Sequence, residues 1–124
     1  MTIIEAIART DELTPNAYEK EQKIAWLSKL DWMIKRFIVD THEGAEKCQF
    51  NGYTAKSSDQ TELLAPPPFD EMYQRWLEAQ IDLANGEYDR YNVAIMQFNT
   101  EYEQYEAYYN RTHMPLNAGK RFLF

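Results

Sequence analysis

The chain has 124 residues, is 44% apolar, and carries twenty acidic against thirteen basic residues, for a net charge of −7. This supplies one domain with one core, and the acidic balance argues against a broad nucleic-acid surface, which needs clustered Lys and Arg. No run approaches the roughly 18–20 apolar residues of a membrane span, the N-terminus lacks the pattern of a secretory signal, and the lone Cys48 excludes an internal disulfide or a cysteine-rich zinc site, so a cytosolic chain is expected.

A short helix is expected from Thr2 to about Glu12. Thr2 and Glu5 have capping-box spacing, and Ile3, Ile4, Ile7 and Ala8 share one face. Pro15 breaks the pattern by disfavouring helix at Thr14, and Asn16 is a good N-cap for a second helix running to about Val39. Ile24, Leu27, Leu30, Ile34, Phe37 and Ile38 recur at three- and four-residue steps. Trp26, Trp32 and Met33 widen that stripe beyond the usual helix face, as a wide core face would, or a core face plus an interface.

Residues 42–67 read as a protruding loop. Gly44 suits the left-handed end of helix two. Asn51-Gly52, flanked by Phe50 and Tyr53, is a turn signal able to close a short β-hairpin. Pro66-Pro67-Pro68 is expected to be stiff and extended, with Pro68 in the first turn of a third helix. Phe69, Met72, Tyr73, Trp76, Leu77, Ile81 and Ala84 form the apolar face of that helix, and Asn85-Gly86 ends it.

Helix four carries Tyr88, Tyr91, Ile95, Phe98, Tyr102, Tyr105 and Tyr109 at alternating steps of 3 and 4, a seam at coiled-coil period. Five of the seven are Tyr, whose hydroxyls need partners or a wet rim. The tight turn at Asn85-Gly86 makes helices three and four an antiparallel hairpin. Pro115 ends the pattern, and 111–124 reads as an extended tail whose apolar end, Phe122-Leu123-Phe124, calls for a docking partner. All twenty acids lie in residues 1–110 with ten of the bases, whereas 111–124 holds Arg111, Lys120 and Arg121 and no acid. A negative body with a positive tail suits docking onto another acidic copy or partner.

Chemistry-bearing patterns are weak. His42 and His113 each sit beside a helix end, where imidazoles commonly meet free carbonyls, and no helix-spaced pair of histidines offers a metal site. Cys48 has no basic cluster to lower its pKa and reads as a buried or half-buried free thiol. The four glycines are isolated, so there is no phosphate-cradling loop. Glu78/Asp82 and Glu101/Glu103 read as solvated helix faces. The aromatic content could stack on single strands, but that mode needs a basic groove and helix four is acidic. No catalysis and no cofactor are expected.

Several runs resemble a small-protein family from prophage structural gene clusters of Gram-positive bacteria. They are Asp70-Glu71-Met72-Tyr73, Leu77-Glu78-Ala79-Gln80-Ile81-Asp82, Ala84-Asn85-Gly86-Glu87, Tyr91-Asn92, and above all Tyr108-Tyr109-Asn110-Arg111-Thr112-His113-Met114-Pro115. Glu21-Gln22-Lys23-Ile24, Trp26-Leu27-Ser28-Lys29-Leu30-Asp31, Thr41-His42-Glu43-Gly44, Gly52-Tyr53-Thr54 and Thr61-Glu62-Leu63-Leu64 add to the likeness. The chain departs from it at Trp32 and at the proline run. The resemblance implies a head–tail connector, also called an adaptor or head-completion protein. Such a subunit forms a homo-oligomeric ring between the portal protein and the tail or a second connector, with DNA only passing through the channel. It would be located in the virion, and in host cytoplasm during assembly.

The fold expected is all-α, one domain over 1–124: four helices, the last two a hairpin, with the 42–67 loop and the 111–124 tail. Phe50 and Tyr53 are candidates for a loop contact, Trp76 and Tyr102 for core or lateral packing, and Phe122, Leu123 and Phe124 for docking. Two other readings stay open: an acidic DNA-mimicking or regulatory phage protein, and a tail-assembly chaperone.

Overall fold

A computed structural model of the chain describes residues 1–116. Its helices are α1 (Ile3–Leu13), α2 (Lys20–Ile34), α3 (Glu71–Ala84) and α4 (Tyr88–Thr112), and among the described residues there is no sheet, only two isolated bridges. This is the all-α, four-helix arrangement expected. The core is built from Ile3, Ala6 and Ile7 of α1, Ile24, Leu27, Leu30 and Ile34 of α2, Met72, Tyr73, Trp76 and Leu77 of α3, and Phe98 and Tyr105 of α4. Each fully buried aliphatic side chain among them contributes roughly 1.5–3 kcal/mol.

The capping-box spacing places Thr2 as N-cap of α1, where its hydroxyl accepts from the Glu5 N–H at 3.3 Å. Glu5 answers by accepting from that hydroxyl rather than by reaching the Thr2 backbone. Loop carbonyls take two further N–H groups at the start of α1, Ile3 to Thr61 at 3.0 Å and Ile4 to Asp59 at 3.1 Å. The start of α1 is thereby capped by the long loop.

Helix α2 begins later than expected. Asn16 is not its N-cap, because its side chain is engaged locally: Oδ1 accepts from the Tyr18 N–H, and Nδ2 donates to Asp11 and to the Thr14 carbonyl. After Ile34 the helix widens into one π turn, Lys35–Val39, closed by the Asp40 N–H on the Lys35 carbonyl at 2.8 Å. The extra residue per turn breaks the three–four spacing. Ile38 and Val39 stay buried and Phe37, expected on the apolar stripe, is 62% exposed. Part of the width of α2 is used within the chain, and Trp32 remains 39% exposed. Trp26 meets Tyr18 edge-on and its carbonyl accepts from Trp76 Nε1 at 2.8 Å, while Trp32 packs on Phe50.

The segment between α2 and α3 corrects two expectations. It does not protrude: Phe50, Leu63 and Ala65 are buried against the helices. It also forms no hairpin at Asn51-Gly52. Gly52 has φ +87° and lies so close to α2 that a Cβ would sit 3.1 Å from Trp32 Nε1 and 3.3 Å from Ser28 Oγ. The next N–H, of Tyr53, donates to Ser28 Oγ at 3.0 Å. Here the turn lays the chain on a helix instead of folding it back on itself. The proline run turns as well, with the Phe69 N–H on the Pro66 carbonyl at 2.9 Å, so α3 starts at Glu71 rather than at Pro68.

Helices α3 and α4 form the expected antiparallel pair around Gly86 (φ +73°), and the tyrosine seam of α4 is unevenly covered. Phe98 and Tyr105 are buried, Tyr91, Ile95, Tyr102 and Tyr109 half-buried, and Tyr88 is 65% exposed. Gly52→Ala is expected to cost about 1–2 kcal/mol in urea unfolding, because the left-handed backbone and the Trp32 contact both oppose a Cβ. An unchanged midpoint would show that the 50–54 segment does not lie on α2.

Candidate functional site

The side chains singled out in the sequence are mostly engaged inside the molecule. Phe50 is buried between Trp32 and Tyr53, at ring distances of 4.9 and 5.0 Å. The Tyr53 hydroxyl donates to Asp31. Trp76 is a core residue whose ring lies tilted 5.1 Å from Phe98, and half-buried Tyr102 lies 5.6 Å from the same ring. Phe122, Leu123 and Phe124 lie outside the described residues, as does most of the 111–124 tail.

The dominant polar feature is Asp31, completely buried on α2. Its Oδ2 accepts from the Tyr53 hydroxyl at 2.5 Å and from the Leu64 N–H at 3.1 Å. Its Oδ1 accepts from the Tyr73 hydroxyl at 2.6 Å. Tyr73 in turn accepts from the Ala65 N–H at 2.7 Å. One carboxylate thus holds α2, α3 and two places of the long loop. Burial pushes its pKa up to about 6, against the three donors, which pull it down. Burial and the neighbouring Asp31 charge raise both phenols above their ordinary value.

A second polar cluster fixes the end of α4. His42 is buried after the π turn, its Nδ1–H donating to the Ile38 carbonyl at 2.6 Å and its Nε2 lying 2.5 Å from the Asn110 side-chain oxygen. Tyr109 stands edge-on to His42 at 5.0 Å and stacks on His113 at 3.9 Å. Residues 114–116 run beside 41–43, with the Glu43 N–H on the Met114 carbonyl at 2.9 Å and the Leu116 N–H on the Thr41 carbonyl at 3.0 Å. Met114 and Leu116 are left 59% and 56% exposed. Cys48 is the half-buried free thiol expected, and burial raises its pKa, which argues against a nucleophile.

A third feature lies near the start of α4. An open groove of about 460 Å³ is lined by Thr14 at the end of α1, Glu78 and Asp82 of α3, and Asp89, Arg90, Val93, Ala94 and Gln97 of α4. Asp82 was expected on a solvated face, but it is only 5% exposed. Among the described residues no group donates a hydrogen bond to its carboxylate, and Arg90 Nε stands 3.8 Å away. Burial raises its pKa, Arg90 opposes the rise, and Glu87 and Glu78 add to it. Glu101 likewise departs from the solvated reading: its Oε2 is buried without a partner among the described residues, and burial raises its pKa. Among the described residues no group of His, Cys, Asp and Glu side chains is arranged to hold a metal ion, and no helix is long and apolar enough to cross a membrane.

No family model, curated protein or solved structure matches the chain. The burial of Asp31 had a signal in the sequence, and that of Asp82 did not. Asp31 sits four residues after Leu27 and three before Ile34, in the middle of the apolar stripe. Asp82 sits beside Ile81, on the side of α3 that faces α4 at the tight hairpin end.

Tyr73→Phe is expected to cost about 1–3 kcal/mol, since it strips a donor from Asp31 and leaves the buried Ala65 N–H without an acceptor. Tyr53→Phe, at the half-buried rim, is expected to cost less; equal costs in urea unfolding would count against the unequal burial. The linkage has a definite sign. The folded chain holds the Asp31 proton more tightly than the unfolded chain, so this contribution is complete below pH 4 and is lost as pH rises through about 6. Stability of the wild type relative to Asp31→Asn is expected to fall by up to about 3 kcal/mol across that window. A parallel pair of stability–pH curves would refute it.

Proposed function

We propose that this chain is a structural subunit of a phage particle, a head–tail connector that closes into a ring between portal and tail. The observation that carries the reading is the presence of two unlike surfaces at opposite ends of α4: the acidic groove around Asp82 at its start, and exposed Met114 and Leu116 beyond its end. Contact between unlike surfaces of identical subunits generates rings when the rotation closes. The phage setting rests on the resemblance of runs such as Tyr108–Pro115 and Leu77–Asp82 to prophage structural proteins.

In this reading the chain works by shape and contact. Its aromatic and polar networks hold a rigid body, and its ends meet the neighbours, the portal and the tail. A net charge of −7 keeps channel walls from binding the DNA that passes them, because like charge repels phosphate.

Mass spectrometry of purified virions, with copy number scaled to the portal protein, tests the reading. About one copy per portal subunit is expected. Absence from the particle would overturn it, and would favour a tail-assembly chaperone that leaves before completion or an acidic regulator that mimics DNA.

A further inference from the structure

One side of α4 is used and the other is bare. Among the helices α4 packs chiefly on α3, and its buried residues are Ala94, Phe98 and Tyr105. At 3.6 residues per turn the opposite side carries Val93, Met96, Thr100, Glu103 and Ala107, in steps of three and four. All five are exposed, Val93 at 58% and Met96 at 68%. The Thr100 hydroxyl donates back to the Met96 carbonyl at 3.1 Å, so its hydrogen already has an acceptor. The middle of this stripe is therefore small and largely apolar. Its ends are charged and opposite in sign. Asp89 lies in the first turn and Arg111 in the last, each eleven residues from Thr100. Both are exposed, and among the described residues neither has an ion-pair partner.

We propose that this side of α4 docks a second copy of the chain, the two α4 helices lying antiparallel about a two-fold axis near Thr100. Charge complementarity selects both the occupant and the direction. In the antiparallel pair Asp89 comes level with Arg111 of the second copy, and the same pairing recurs at the other end. Val93 comes level with Ala107, and Glu103 with Gln97, so no exposed acid of the stripe meets another acid. The stripe is self-complementary, as a two-fold contact requires. A parallel pair would set Asp89, Glu103 and Arg111 each against its own like in the second copy, and like charges repel. Antiparallel packing also places the positive start of each helix beside the negative end of the other. The contact closes at two copies. It concerns the free chain and does not rest on the connector reading, whose ring needs contact between unlike surfaces.

Sedimentation velocity of the full chain over a concentration series at low salt tests the contact. Wild type is expected to show a monomer–dimer equilibrium that weakens as salt rises. Asp89→Arg and Arg111→Asp each turn two attractive pairs per dimer into two repulsive ones, and each is expected to weaken association about tenfold. Mixed in equal amounts, the two variants are expected to recover the dimer, because one then carries cations at both ends of the stripe and the other carries acids. That recovery is specific to the antiparallel register. Both positions are exposed, and circular dichroism of each variant checks that the helices are intact. A wild type that stays monomeric, a dimer indifferent to both reversals, or a mixture no more associated than its components would overturn the proposal. So would wild-type association that continues past two copies. A monomeric chain present in virions would remove this contact and leave the connector reading standing, whereas a dimer absent from virions would do the reverse.

Discussion

A carboxylate with no exposure to water must find donors or be neutralised, and the fold is arranged around that requirement at Asp31. Its two oxygens take the hydroxyls of Tyr53 and Tyr73 and the N–H of Leu64. These donors come from α3 and from two places in the long connection, far apart in sequence. A chain that satisfies Asp31 has thereby laid residues 50–65 along α2 and fixed α3 beside it. The same connection then caps the start of α1 through Thr61 and Asp59. Removing Asp31 leaves the hydroxyls of Tyr53 and Tyr73 and the Leu64 N–H without their acceptor, so the carboxylate couples all three.

Much of the helical framework was legible locally. Apolar residues at three- and four-residue steps marked four helices, Thr2 with Glu5 marked the start of α1, and Asn85-Gly86 marked the α3–α4 turn. What was not legible depended on partners distant in sequence. Asn51-Gly52 carries the turn chemistry of a hairpin, yet Ser28 and Trp32 of α2 supply the contacts that a second strand would have supplied. Asn16 has the side chain of an N-cap and spends it on Asp11 and Thr14. Phe37 fits an unbroken α-helix, and a single π turn moves it to the surface. The groove at Asp82 was hidden for the same reason: its burial follows from the docking of α4 on α3, which spacing along α3 alone does not reveal.

These findings redistribute the surfaces available for contact. Phe50 and Tyr53 serve the interior, and the 42–67 segment is a wall of the domain rather than an arm. His42 and Asn110 anchor the far end of α4, and residues 114–116 leave along 41–43 with Met114 and Leu116 uncovered. The near end presents carboxylates beside exposed Val93. A rigid body with dissimilar ends is suited to repeated contact with copies of itself.

The fold depends most directly on the long connection being clasped by Asp31. Amide hydrogen exchange of the wild type, resolved to Leu64 and Ala65, tests that clasp. Both amides are expected to exchange as slowly as the core amides of α2 and α3, opening only with global unfolding. Exchange at these two amides as fast as in an unstructured peptide, with α2 and α3 still protected, would contradict it and return residues 42–67 to the role of a free arm.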